Sequence, residues 1–178
     1  MKKNLLALTL GLAFAGLAQA SPLTFQFSYK LSTGDVLAGR LLGTLEGDNN
    51  TIDISSMLDF VTVNGAPQIA LPYVNSATAL FFSIPGGLAI TSLNGLVQDF
   101  IACDSSACND GFALLPLLLS PGSPLVYLSG ATFGGTSEPY DATNWQIAAI
   151  PEPGGLALVG LALAGALVTR RRAKGTQA

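Results

Sequence analysis

Residues 23–31, Leu-Thr-Phe-Gln-Phe-Ser-Tyr-Lys-Leu, alternate apolar and polar without a break. A period of two puts Leu23, Phe25, Phe27, Tyr29 and Leu31 on one face and Thr24, Gln26, Ser28 and Lys30 on the other, which predicts a half-buried strand. Shorter segments of the same kind follow, each bounded by turn residues. Residues 36–45 precede the turn Gly47-Asp48-Asn49-Asn50, and 51–55 and 57–63 precede Asn64-Gly65-Ala66-Pro67. Residues 79–84 meet Pro85-Gly86-Gly87, and 88–93 meet the hairpin signal Asn94–Gly95 before 96–103. Segments 112–119, 125–130 and 144–150 complete the set, with Pro116 suited to an edge or a bulge rather than a central strand. No sustained helical period occurs between the two ends of the chain. Strands this short and this regularly spaced predict an all-β domain over 21–149, sandwich or jelly-roll-like, with no second domain and no internal repeat.

Two apolar runs depart from this pattern. Lys2 and Lys3 precede an apolar stretch from Leu5 to Leu17, and Ala18 and Ala20 sit three and one residues before Ser21. That is the layout of a bacterial signal peptide over 1–20, removed by signal peptidase so that the mature chain starts at Ser21. The second run, Gly154 to Thr169, has no charged residue and ends on Arg170, Arg171 and Arg172. As a helix it measures roughly 24 Å against a bilayer core of ~30 Å. Snorkelling arginines and local thinning accommodate the difference, and the arginine cluster lies where a stop-transfer signal belongs. The expectation is a single transmembrane helix over 154–169 in the inner membrane, a basic cytoplasmic tail over 170–178 and a domain facing outward.

Charge sharpens this division. Only 11% of the residues are charged and 49% are hydrophobic. All eleven acidic residues lie between Asp35 and Glu152, and Lys30 and Arg40 are the two basic residues between the chain's two basic ends. An acidic middle argues against nucleic acid and other anionic partners.

Between the domain and the apolar run stand Pro151, Glu152 and Pro153. Proline fixes its own φ and restricts the residue before it, so the triplet stays extended and outside the helix. Triplet, short apolar run and arginine-rich end, in that order, resemble the PEP-CTERM sorting signal of bacteria that make exopolysaccharide. The resemblance covers residues 151–178. It implies recognition and cleavage by exosortase, a membrane-embedded cysteine peptidase. It further implies delivery to the cell surface or extracellular matrix of a Gram-negative bacterium, with exopolysaccharide as a partner. This chain departs from the pattern in having Gly154–Gly155 where Ser or Ala is common, and in the six residues after the arginines. The Phe/Tyr opening strand, the Gly-spaced second strand and Trp145 before the triplet are similar, more loosely, to a common outer domain of such proteins. A GPI signal would end in its hydrophobic tail, and a sortase motif is absent, since Leu71–Pro72 is followed by Tyr73.

The remaining chemistry is sparse. Cys103 and Cys108 are the two cysteines, and an exported pair at this spacing predicts a disulfide at a hairpin end. With no histidine in the chain, Ser-His-Asp and Cys-His nucleophile systems and ordinary zinc sites are excluded. Glu46, Asp48 and Asp53 are calcium candidates by ligand type, without EF-hand spacing. With Asp59 they are the carboxylates a glycosidase pair could draw on, though polar turns and solvated faces explain them too. Tyr140 and Trp145 could stack on a sugar or sit in the core. The expectation is a non-enzymatic protein without cofactor, structural or adhesive in the envelope or matrix. The alternative is a carbohydrate- or calcium-binding module. An enzyme would need paired carboxylates about 5–10 Å apart in a cleft.

Overall fold

The computed structural model describes residues 21–83, 87–116 and 124–151. The signal-peptide segment, including Ala18 and Ala20, lies outside them. So do Glu152, Pro153, the apolar run 154–169 and Arg170, Arg171 and Arg172.

The alternating stretch forms β1 (Leu23–Lys30), with Phe25, Phe27 and Tyr29 buried and Gln26 and Lys30 exposed. β2 (Val36–Leu45) returns antiparallel along its whole length, pairing Leu23 with Gly43 and Lys30 with Val36. Phe27 lies over β2 at Gly39, where a Cβ would come within 2.9 Å of the ring. Glycine there lets ring and backbone approach closely. Residues 51–63, expected as two segments, are one strand, β3 (Thr51–Val63). Ser55–Ser56 breaks the alternation but makes no turn. The mismatch is absorbed by the register shift between Leu42, opposite Ser56, and Gly43, opposite Ile54; a second shift, between Ala38 and Arg40, falls further along β3 at residues 58–62.

β4 (Ala66–Ala70) folds back on β3 through the Asn64–Gly65 turn, and β5 (Tyr73–Asn75) pairs with the later β7 (Gln98–Cys103). Neither β4 nor β5 has a sequence period long enough to announce it. Residues 79–84 correct the sequence reading: Ala77–Phe82 is a helix, α1. Ser76 caps it, its side-chain oxygen accepting from the Ala79 amide at 2.9 Å. Asp99 on β7 accepts from both the Ser76 hydroxyl and the Thr78 amide at 2.8 Å. Three amides and hydroxyls satisfied at the first turn outweigh the strand preference of Phe81 and Phe82, which stay exposed.

β6 (Ala89–Ser92) and β7 form the hairpin that Asn94–Gly95 announced, with Gly95 at φ +74°. β8 (Gly111–Leu115) is central and fully buried between β7 and β9 (Leu125–Ser129), and it stops just before Pro116. The proline thus ends a central strand rather than marking an edge strand. After a four-residue helix, α2 (Gly130–Phe133), comes β10 (Ser137–Pro139), held to β9 and too short to read from sequence. β11 (Trp145–Ala149), the last of the described strands, pairs against β1.

The all-β expectation holds as one continuous antiparallel sheet. Its order is β10-β9-β8-β7-β6-β3-β2-β1-β11, with β4 and β5 on branches. Where the sequence reading expected a sandwich or jelly roll, the described strands curl a single sheet so that its halves face each other. Phe27 on β1 meets Phe112 on β8 at 5.9 Å between ring centroids, and Phe112 meets Phe100 edge-on at 5.6 Å. A shared core runs through both halves. Glu138 on β10 accepts from the Ser32 amide after β1, tying the two halves together at the rim. The expected disulfide joins Cys103 to Cys108 in the β7–β8 loop, with 5.0 Å between Cα atoms.

Because Phe27 touches both halves, Phe27→Ala should destabilise the domain by about 3–5 kcal/mol. Urea unfolding of the exported domain checks this; a loss of under about 1 kcal/mol would place Phe27 outside the core.

Candidate functional site

The sequence motif with a function attached begins where the sheet ends, so the site is built from β11 outward. Its approach is fixed by a buried aromatic cluster. Tyr140 stacks on Tyr29 at 5.3 Å, donates its hydroxyl hydrogen to the Gly95 carbonyl and accepts from the Gln98 amide. Tyr29 in turn accepts from the Asp141 amide at 3.0 Å. Burial pushes both phenols above their ordinary pKa. Asp141 then caps a single 3₁₀ turn, Ala142–Asn144, by accepting from the Thr143 amide. Trp145 stacks on Phe27 at 5.5 Å and donates its indole N–H to the Ser92 carbonyl at 3.1 Å. Trp145 is therefore a core residue, and the Tyr140 hydroxyl is committed to two partners.

From Trp145 the strand runs along β1, pairing Tyr29 with Trp145, Phe27 with Ile147 and Phe25 with Ala149. The ladder extends one residue further, since the Ile150 amide donates to the Thr24 carbonyl at 2.7 Å. The next residue is Pro151, exposed. Of the proposed processing residues, Pro151 and Ser21 are thus described. Both are exposed and flank the same end of the β1–β11 ladder, Ser21 two residues before β1 and Pro151 one residue after the last bond. Glu152, Pro153 and the stop-transfer arginines lie outside the described residues. Among the described residues no helix is long and apolar enough to cross a membrane.

The calcium candidates do not converge as three ligands. Asp48 spends its carboxylate on the β2–β3 turn, accepting from the Asn50 and Thr51 amides and the Thr51 hydroxyl at 2.6–2.9 Å. The Thr51 hydroxyl and these amides hold its pKa below the usual carboxylate range. Glu46 faces Asp53, and sharing a hydrogen bond with that carboxylate pushes Glu46 up. Asp59 lies away from them, paired with Arg40 on the outer face of β2–β3. Among the described residues no three His, Cys, Asp or Glu side chains group as a metal site would require.

Hollows elsewhere are lined by carboxylates already engaged. One of about 560 Å³ includes Ile90, Leu96, Val97 and Tyr140, and its carboxylate is Asp99, which caps α1. A second, about 280 Å³, holds Asp35 and Glu138. Asp35 accepts from the Asn64 amide group and the Thr33 hydroxyl, which lower its pKa, and Glu138 accepts from Ser32.

Comparison with known families matches residues 149–172 to the PEP-CTERM protein-sorting motif. The match starts at Ala149, on the last residue of β11, and runs through the arginine cluster. No curated protein and no solved structure matches the chain. The chain carries a PEP-CTERM sorting motif, and the motif begins on the folded domain itself.

Sequence reasoning found the motif but missed the ladder leading into it. The apolar-polar period of 144–150 signals a strand without naming its partner.

A carboxylate with a lowered folded pKa stabilises the fold above its unfolded pKa and loses that contribution as pH falls through the folded value. Asp48→Asn should therefore lower the melting temperature at neutral pH, with the gap to wild type closing as pH falls from about 5 to about 2. Melting curves across that window check it; a gap independent of pH would mean the Asp48 charge contributes nothing.

Proposed function

We propose that this chain is a non-catalytic structural component of the cell envelope or exopolysaccharide matrix, freed from the inner membrane by exosortase. The sorting motif at 149–172 carries the proposal, because it implies export and exosortase processing. Signal peptidase would cut before Ser21, the run 154–169 would hold the tail in the membrane, and Arg170, Arg171 and Arg172 would keep its end cytoplasmic. The fold suits that route. Both ends of the exported domain leave one end of the β1–β11 ladder, so a single face of the domain can meet the membrane while the remainder is free. Only Glu152 and Pro153 separate Pro151 from the apolar run, so Pro151 lies within about 10 Å of Gly154 when extended. The domain would therefore sit against the bilayer until the tail is cut.

A non-catalytic role is supported by how the polar groups are used. Asp99, Asp35 and Glu138, which line two of the hollows, hold amides and hydroxyls of their own fold. Glu46, whose pKa is raised, stands exposed in a turn. A glycosidase acid would instead need a raised pKa inside a cleft.

Intact mass of the protein from a host carrying exosortase, beside one lacking it, tests the reading. The expected product starts at Ser21 and loses the tail only where exosortase is present; mass added to its C-terminus would identify the acceptor. A Ser21–Ala178 chain in both hosts would overturn it.

A further inference from the structure

The processing motif overlaps a strand whose outer side is open. Among the described strands β11 pairs with β1 alone and ends the sheet. The Ile150 amide donates to Thr24. In an antiparallel ladder, alternate residues turn both backbone groups toward the partner strand. Ile150, Ala148 and Gln146 therefore face β1, while Ala149 and Ile147 turn their N–H and C=O groups to the open edge. Trp145 follows the same alternation, since its amide bonds back to the Ala142 carbonyl rather than to β1. Gln146, Ala148 and Ala149 are exposed, so nothing among the described residues covers this edge.

Ile150 precedes Pro151 and Glu152 precedes Pro153, and a residue before proline is held to extended conformations. The motif match starts on this edge, at Ala149, and the sequence carries the same preference for extended backbone into the triplet. Peptidase clefts take their substrates as added strands, bonding alternate backbone groups. Here the groups such a cleft needs upstream of the triplet have no partner among the described residues and are aligned, while the opposite side of the strand stays bonded to β1.

From this geometry we infer that the open edge of β11 is the docking strand for the processing peptidase. The peptidase adds a strand of its own cleft along Ile147–Ala149 and reads Pro151, Glu152 and Pro153 without unzipping β11. The inference rests on the exosortase reading above. It adds a contact on the folded domain, and it places the cut beyond Ile150, so that the released domain keeps its last strand.

Ala149→Pro tests it in the full chain. Proline at 149 removes an outward amide and leaves the β1 ladder intact, the edge position where proline is tolerated. The variant should unfold at the wild-type temperature and be processed about tenfold more slowly, the worth of one backbone hydrogen bond. Processing at the wild-type rate would overturn the inference while leaving exosortase processing of the wild type in place. An unprocessed wild type would instead sink the function reading. Should Ala149→Pro fail to fold, a photo-cross-linker at Gln146 decides. Capture of the peptidase from Gln146 supports docking along β11, and capture only from positions beyond Pro151 overturns it.

Discussion

The pairing of the first strand with the last holds this domain together and sets what its tail can do. β1 is central, with β2 on one side and β11 on the other, and its inward face carries Phe25, Phe27 and Tyr29 into the shared core. Each of these residues lies opposite a residue of β11. Trp145 stacks on the ring of Phe27, Ile147 packs against the same core, and the ladder stops one residue short of Pro151. A domain whose last strand is needed to cover its first cannot complete its core until residue 150 has been exported. The sorting motif begins on that strand at Ala149, and its Pro-Glu-Pro triplet comes immediately after residue 150, so completion of the fold and presentation of the triplet follow one another along the chain.

How much of this the sequence revealed depends on the range of the interaction. β1 was legible because an unbroken period of two is a local property. The Asn64–Gly65 and Asn94–Gly95 turns were legible for the same reason. The helix α1 was not, because Asp99, which secures its cap, lies 23 residues from Ser76. β10 was missed because three residues carry no period, and its place is set by Val126 across the ladder and by Ser32 across the rim. Residues 51–63 were divided in two because Ser55–Ser56 reads as a break, whereas the sheet takes up the irregularity as bulges.

The candidate site divides the same way. Pro151, Glu152, Pro153 and the arginine cluster form a contiguous signal and could be read directly. Trp145 and Tyr140 could not be assigned to surface or core until Phe27, Ser92, Gly95 and Gln98 were seen around them. Asp48 could not be separated from its calcium reading until its oxygens were found on the Asn50 and Thr51 amides. The open side of β11 is legible only once its partner is known, since which amides face outward follows from which face β1.

Residue-resolved amide hydrogen exchange on the mature domain tests the β1–β11 ladder most directly. Slow exchange is expected at Ala148 and Ile150 and fast exchange at Ile147 and Ala149, an alternation that only a strand paired on one side produces. Uniformly fast exchange from Gln146 to Ile150 would contradict it, leaving β11 undocked and the motif detached from the fold.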